Sequence, residues 1–139
     1  MRSLVHKAYG QITQKGELKL FQSANPDYKD GHQSRDFVYV KDAVKITHHF
    51  FKNRNKAKPG IYNVGTGVAR TFLDLGKYVF KSMAVTENIQ WIPTPEKFVK
   101  QYQYYTKATV SKLRGQGCYE LDFFSLEKAV DDYVKNYLN

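Results

Sequence analysis

Arg35 heads the stretch of this chain best suited to chemistry, Arg35-Asp36-Phe37-Val38-Tyr39-Val40-Lys41-Asp42. A planar guanidinium fixed at the mouth of a strand can grip a phosphate or carboxylate through two parallel hydrogen bonds. The alternative at the same spacing is a surface arginine paired with Asp36 or another neighbouring acid. A second candidate stretch is Tyr102-Gln103-Tyr104-Tyr105, set among basic residues running from Lys97 to Arg114. Aromatic rings interleaved with lysines suit single-stranded nucleic acid, whose bases stack while its phosphates are neutralised.

Other constellations do not complete a reactive site. Gly65-Thr66-Gly67 follows a strand pattern and precedes a helix pattern, as in a dinucleotide fingerprint. The third small residue of that fingerprint is replaced by Arg70, and Glu87 precedes its strand instead of ending it. The stretch therefore reads as a tight turn supporting the next helix. His48 and His49 are adjacent and point apart on a helix, while His6 and His32 lack a nearby cysteine or acidic pair, so no metal site is expected. Cys118 has no flanking base and reads as an ordinary buried cysteine. No Ser-His-Asp relay or paired-carboxylate arrangement stands out, and no catalytic residue is assigned.

The elements that must position these residues follow from periodicity. Leu4, Val5, Ala8, Tyr9 and Ile12 recur at helical spacing behind Ser3 as a cap, with Gly16 as the stop. This helix starts almost at Met1 without a lead-in, which suggests that something once preceded it. Lys19-Leu20-Phe21 reads as a strand feeding a polar loop over residues 22–34. Phe37 and Tyr39 alternate with Val38 and Val40 as in a strand, and Asp42 suits the N-cap of a helix carrying Ala43, Ile46 and Phe50. Pro59-Gly60 ends that unit, and residues 60–64 form the next expected strand.

Thr71 and Asp74 have the spacing of a capping box ahead of Phe72, Leu75, Val79 and Met83. Residues 89–92 are a strand closed by Pro93, Thr94-Pro95 resembles a cap with proline at the first helical position, and a short basic helix ends near Gly115. Ser125 caps the cleanest amphipathic pattern, from Leu126 to Leu138. The alternation predicts an α/β fold with α+β character in a single domain, 1–139.

Composition bounds the partners. At 139 residues, with 42% hydrophobic and 15% aromatic residues, the chain can bury a core and is not disordered. One cysteine excludes an internal disulfide and suits a reducing compartment. No apolar run reaches a membrane span and the first residues lack a signal-peptide core, so the expectation is a cytoplasmic protein with no membrane partner. A formal charge of +9 favours polyanionic partners.

Taken together, Arg35 to Asp42, Tyr62-Asn63-Val64-Gly65-Thr66-Gly67 and Tyr102-Gln103-Tyr104-Tyr105-Thr106 resemble the extended short-chain dehydrogenase/reductase epimerases. Lys19-Leu20-Phe21 and the Tyr-Gln-x-Tyr-Thr stretch narrow the likeness to the ADP-heptose 6-epimerase branch. The resemblance implies that NADP in the full-length family takes hydride from the sugar and returns it to the other face of a transient ketone. It also implies that Arg35 grips the ADP diphosphate, that Phe21, Gln22, Ser23 and Ala24 line the nucleotide pocket, and that Tyr102 contacts the substrate. A further substrate position falls at His6 or Lys7.

The family's glycine-rich cofactor turn and its Tyr-x-x-x-Lys pair lie upstream of the matched region. The expectation is thus a C-terminal substrate-binding part without its N-terminal Rossmann core, inactive and binding no cofactor alone. Its partners would be an ADP-sugar and a separate or missing Rossmann domain, with homo-oligomers compatible with the full-length family. The alternative is a basic, aromatic-rich module for single-stranded nucleic acid.

Overall fold

A computed structural model describes residues 3–139; Met1 and Arg2, on which the reading of the first residues partly rests, lie outside the described residues. The first helix, α1 (Leu4–Lys15), starts where Ser3 accepts a hydrogen bond from the His6 amide and stops at Gly16, whose φ of 66° is the left-handed geometry that glycine adopts without strain. Ala8 and Ile12 face inward. Strand β1 (Leu18–Phe21) pairs in parallel with β4 (Ile89–Ile92), Leu18 opposite Ile89 and Phe21 opposite Ile92. The Gln22 amide donates to the Ile92 carbonyl at 2.8 Å and extends the ladder past Phe21.

Between these strands lie β2 (Ser34–Arg35), α2 (Val40–Lys52), β3 (Arg70–Thr71) and α3 (Phe72–Ser82). Strands β2 and β3 pair antiparallel. After β4 come two short helices, α4 (Glu96–Val99) and α5 (Ser111–Gly115), and then α6 (Leu126–Tyr133), which widens into a π-helical turn over Val134–Leu138. The α/β class stands.

Two apolar clusters hold these elements. Ala8, Ile12, Leu18, Leu75, Val79, Phe80, Val130 and Val134 form the larger, with α3 packed against both α1 and α6. Ile46, Leu113 and Tyr119 form the second, bordered by Phe50, Tyr62 and Phe123. The α3 capping box is complete: the Thr71 hydroxyl accepts from the Asp74 amide at 2.9 Å, and the Asp74 carboxylate accepts from the Thr71 amide at 3.2 Å. Thr71→Ala removes the first bond and is expected to lower stability by about 0.5–2 kcal/mol, measured by urea unfolding.

Several local expectations are corrected. Only Ser34 and Arg35 of the arginine-led stretch form a strand; residues 36–39 are extended without a ladder partner, and Val40 already begins α2. The alternation itself persists, with Phe37 packed on the larger cluster while Val38 and Val40 are exposed. Tyr39 occupies the N-cap position, not Asp42. Asp42 sits inside the first turn, wholly buried, because its Oδ2 accepts from the Phe124 amide at 2.9 Å and ties α2 to the approach to α6.

Residues 60–64 are not a strand. No described strand lies beside them to complete a ladder, and Ile61 is 89% exposed. Pro95 takes the N-cap position of α4 itself, while the Thr94 hydroxyl donates to the Gln22 carbonyl at 2.7 Å. Cys118 is exposed instead of buried. Its φ of 54° turns it outward between buried Gly117 and buried Tyr119, with the Gly117 carbonyl 2.7 Å from His49 Nε2. The long C-terminal helix is α-helical only to Tyr133.

Outside the core, α3 and α6 are linked by an ionic cluster. Arg70 Nη2 lies 3.2 Å from Glu127 Oε1, Arg70 Nε lies 3.3 Å from Asp74, and the Tyr78 hydroxyl donates to Glu127 at 2.5 Å. The Tyr78 hydrogen bond, with its own amide and Arg70 assisting, pulls the Glu127 carboxyl down from 4.5 to about 2. A carboxyl depressed in the folded state stabilises above its unfolded pKa and loses that effect as pH falls through the folded value. The melting difference between wild type and Glu127→Gln is therefore expected to be present at neutral pH and to vanish as pH falls from 4.5 toward 2.

Candidate functional site

At the carboxyl ends of the parallel pair, where β1 delivers Phe21 and β4 delivers Ile92, a cavity of about 360 Å³ opens. This is the edge at which α/β sheets commonly take ligands. Leu20, Phe21, Phe72, Ile92 and Tyr102 give it apolar and aromatic walls, and Gln11, Lys15, Lys19 and Gln33 give it polar ones. Among the described residues its lining has two lysines and no carboxylate. Such a wall favours a flat apolar group joined to an anion.

Arg35 does not itself line the cavity but lies against two of its wall residues, Phe72 and Tyr102. Its guanidinium carbon is 5.6 Å from the Phe72 ring centroid and 5.7 Å from that of Tyr102, within cation–π range. The only hydrogen bond it makes among the described residues runs from Nη1 to the Ser34 carbonyl at 2.8 Å, and no described carboxylate pairs with it. Asp36, the neighbouring acid, bonds elsewhere. Adjacent residues of an extended chain face opposite ways, so Asp36 turns from Arg35 to the Gly65-Thr66-Gly67 turn. Burial pushes the Tyr102 phenol up, partly offset by the Arg35 charge, so Tyr102 stays a neutral donor.

The remaining sequence candidates are less tightly gathered. Gln22 and Ala24 are exposed just beyond Phe21, and Ser23 is half-buried with its amide donating to Asp30 at 2.7 Å. Lys7 is exposed and does not line the cavity, although it shares the α1 stripe of Leu4, Gln11 and Lys15, which do. Tyr104 packs between Tyr102 and Tyr28, at centroid distances of 5.2 and 4.9 Å, leaving Tyr105 the exposed ring of that stretch. Sequence reasoning missed Phe72 and Gln33. Phe72 looked like core spacing, and Gln33 lay in a loop without periodicity.

The turn most like a phosphate cradle is already occupied internally. The Thr66 and Gly67 amides donate to Asp36, each at 2.8 Å, so they do not point at a ligand. A Cβ on Gly65 would come within 2.4 Å of the Ala108 Cβ and 2.7 Å of Asp36 Oδ2, so the glycine serves close approach. The turn does not merely support the helix that follows. Tyr39 and Lys41 do not replace an acid/base pair either: both bond to Asp132 at 2.6 Å, and burial with that hydrogen bond pushes Tyr39 up to about 12. A phenol so raised resists losing its proton near neutrality. The Gly65-Thr66-Gly67 turn is thus engaged by Asp36, and Tyr39 and Lys41 by Asp132.

The profile of the NAD dependent epimerase/dehydratase family matches residues 1–65. ADP-L-glycero-D-manno-heptose-6-epimerases of Nitratidesulfovibrio vulgaris (strain DP4) and Fusobacterium nucleatum are 46% and 44% identical to the chain, each over 99% of it. Along almost its whole length the chain is similar to heptose epimerases. It spans 42% of the length of those two relatives. Its fold is that of the family's solved structures. The Helicobacter pylori ADP-L-glycero-D-manno-heptose-6-epimerase superposes with a TM-score of 0.72 at 24% identity, over 96% of this chain and 37% of its own. The Bacillus cereus UDP-glucuronic acid 4-epimerase, solved with UDP-glucuronic acid and NAD, gives 0.72 at 20% identity, over 96% and 40%. Among the described residues no helix is long and apolar enough to cross a membrane, and no group of three or more potential metal ligands occurs.

Proposed function

We propose that this chain is the C-terminal, substrate-binding part of an ADP-L-glycero-D-manno-heptose 6-epimerase. Arg35 grips the ADP diphosphate, Phe21 and the residues to Ala24 line the nucleotide pocket, and Tyr102 bonds a sugar or phosphate oxygen. The observation that carries this reading is Arg35 itself. It is held against two aromatic rings, has no described carboxylate partner, and stands beside an apolar cavity with a basic rim. The 44–46% identity to heptose epimerases supports the choice of nucleotide sugar.

The full reaction, inversion at C6 of the heptose through a transient ketone, draws on NADP. The Gly65-Thr66-Gly67 turn does not offer that cofactor a cradle, because its Thr66 and Gly67 amides are bonded to Asp36. Hydride transfer therefore belongs with a Rossmann domain from the length of the relatives that this chain does not span. By itself the chain binds and does not turn over. Isothermal titration at low salt tests this: heat with an ADP-sugar and none with NADP is the expected result, and equal response to both, or to neither, rejects it. A single-stranded oligonucleotide serves as the control for the nucleic-acid reading, which demands tight binding that falls steeply with salt.

A further inference from the structure

Asp36 does not touch the cavity, yet it bonds two segments that lie far apart in sequence. Its Oδ1 accepts from the Thr66 amide at 2.8 Å and the Thr66 hydroxyl at 2.6 Å; its Oδ2 accepts from the Gly67 amide at 2.8 Å and the Ala108 amide at 3.0 Å. Four donors on two oxygens occupy the carboxylate's acceptor capacity. They also outweigh the effect of burial and hold the carboxyl below its ordinary range.

The Ala108 bond is one of two clips on the segment that carries Tyr102. At the other, the Ser34 amide donates to the Tyr104 carbonyl at 2.8 Å and the Thr106 amide donates to the Ser34 carbonyl at 3.1 Å. Ser34 and Asp36 flank Arg35, so the strand bearing the guanidinium is stitched on both sides to the segment bearing the phenol. Because every acceptor position of Asp36 is taken, Arg35 is also left without its nearest anion.

We infer that Asp36 is a positioning residue: its carboxylate fixes Tyr102 over Arg35 and keeps the guanidinium free for an anionic ligand. This rests on the proposed nucleotide site, and it assigns a binding role to a residue that contacts no ligand. Asp36→Asn is nearly isosteric but turns an amide N–H toward donors, whichever way it flips. With the N–H group toward Gly67 and Ala108 two of the four bonds are lost; toward Thr66 the amide bond is lost while the hydroxyl reverses to accept, so in either flip at least one backbone donor faces another donor.

The test uses the whole chain, with ADP as the probe. Wild type, Asp36→Asn, Arg35→Ala and the double variant are titrated calorimetrically, and Tyr102 ring resonances and Ala108 amide exchange are followed by NMR without ligand. Asp36→Asn is expected to bind ADP about tenfold or more weakly. It should add nothing further in the Arg35→Ala background, shift the Tyr102 resonances and speed Ala108 exchange. Thr66→Val, which removes the hydroxyl bond to Asp36 together with that hydroxyl's bonds to Val68 and leaves the three amide bonds to Asp36, should move the same quantities less and serves if Asp36→Asn does not fold.

Unchanged ADP affinity with unchanged Tyr102 resonances in a folded variant overturns the inference. So does an equal loss with and without Arg35, which marks a merely structural residue. If wild type itself does not bind ADP, the site reading fails, and the Tyr102 and Ala108 signals alone still decide whether Asp36 holds the two segments together.

Discussion

Arg35→Ala is expected to weaken binding of an ADP-sugar by about 2–5 kcal/mol, the cost of deleting one side of a charge-assisted pair. The wild-type guanidinium gives up little to meet a diphosphate, since its one described hydrogen bond is to the Ser34 carbonyl and no described carboxylate must be displaced. Phe72 and Tyr102 hold it by their ring faces, which restrains the fork without satisfying its donors. Arg35→Lys should recover only part of the affinity, because an ammonium keeps the charge but loses the planar fork. Titration of the three proteins against one ADP-sugar checks this, with thermal melting as the folding control. Equal affinities for wild type and Arg35→Ala would place the diphosphate elsewhere.

The second large effect is expected in the core. Phe80 is fully buried in the larger cluster, on the α3 face that packs between α1 and α6. Phe80→Ala removes a ring from a close-packed interior and leaves a cavity, costing about 3–5 kcal/mol. Against a typical total of about 5–15 kcal/mol, such a loss brings the chain near its unfolding threshold at ambient temperature. Leu113→Ala in the second cluster is expected to cost about 2–5 kcal/mol. If residues 1–139 behave as one domain, both variants lower a single transition seen alike by far- and near-ultraviolet circular dichroism. Two transitions, each sensitive to one variant, would show that the clusters unfold separately.

Elements whose signal lies within a few neighbouring residues were legible in the sequence. Ser3, Gly16, Thr71 with Asp74, and Ser125 mark helix ends by chemistry that acts over three or four residues, and all four do so in the structure. The apolar runs of β1 and β4 and the α/β class were equally readable. So was the likeness to heptose epimerases, through motifs spaced along the chain.

What only the tertiary structure decided is where side chains at extended or loop positions find their partners. Asp42 looked like a cap but is buried inside the first turn of α2, where it accepts from the Phe124 amide, 82 residues away. Asp36 looked like the natural mate of Arg35. The extended backbone instead points it the other way, to amides 30 to 72 residues distant. Residues 60–64 had a strand's composition and no neighbouring described strand to pair with, and composition cannot supply the neighbour. Phe72 and Tyr102 are 30 residues apart, and nothing local announces that they flank one guanidinium. Local rules choose elements because backbone hydrogen bonds and caps are satisfied nearby; a binding site joins residues through packing at long separation, and that is settled only when the chain has folded.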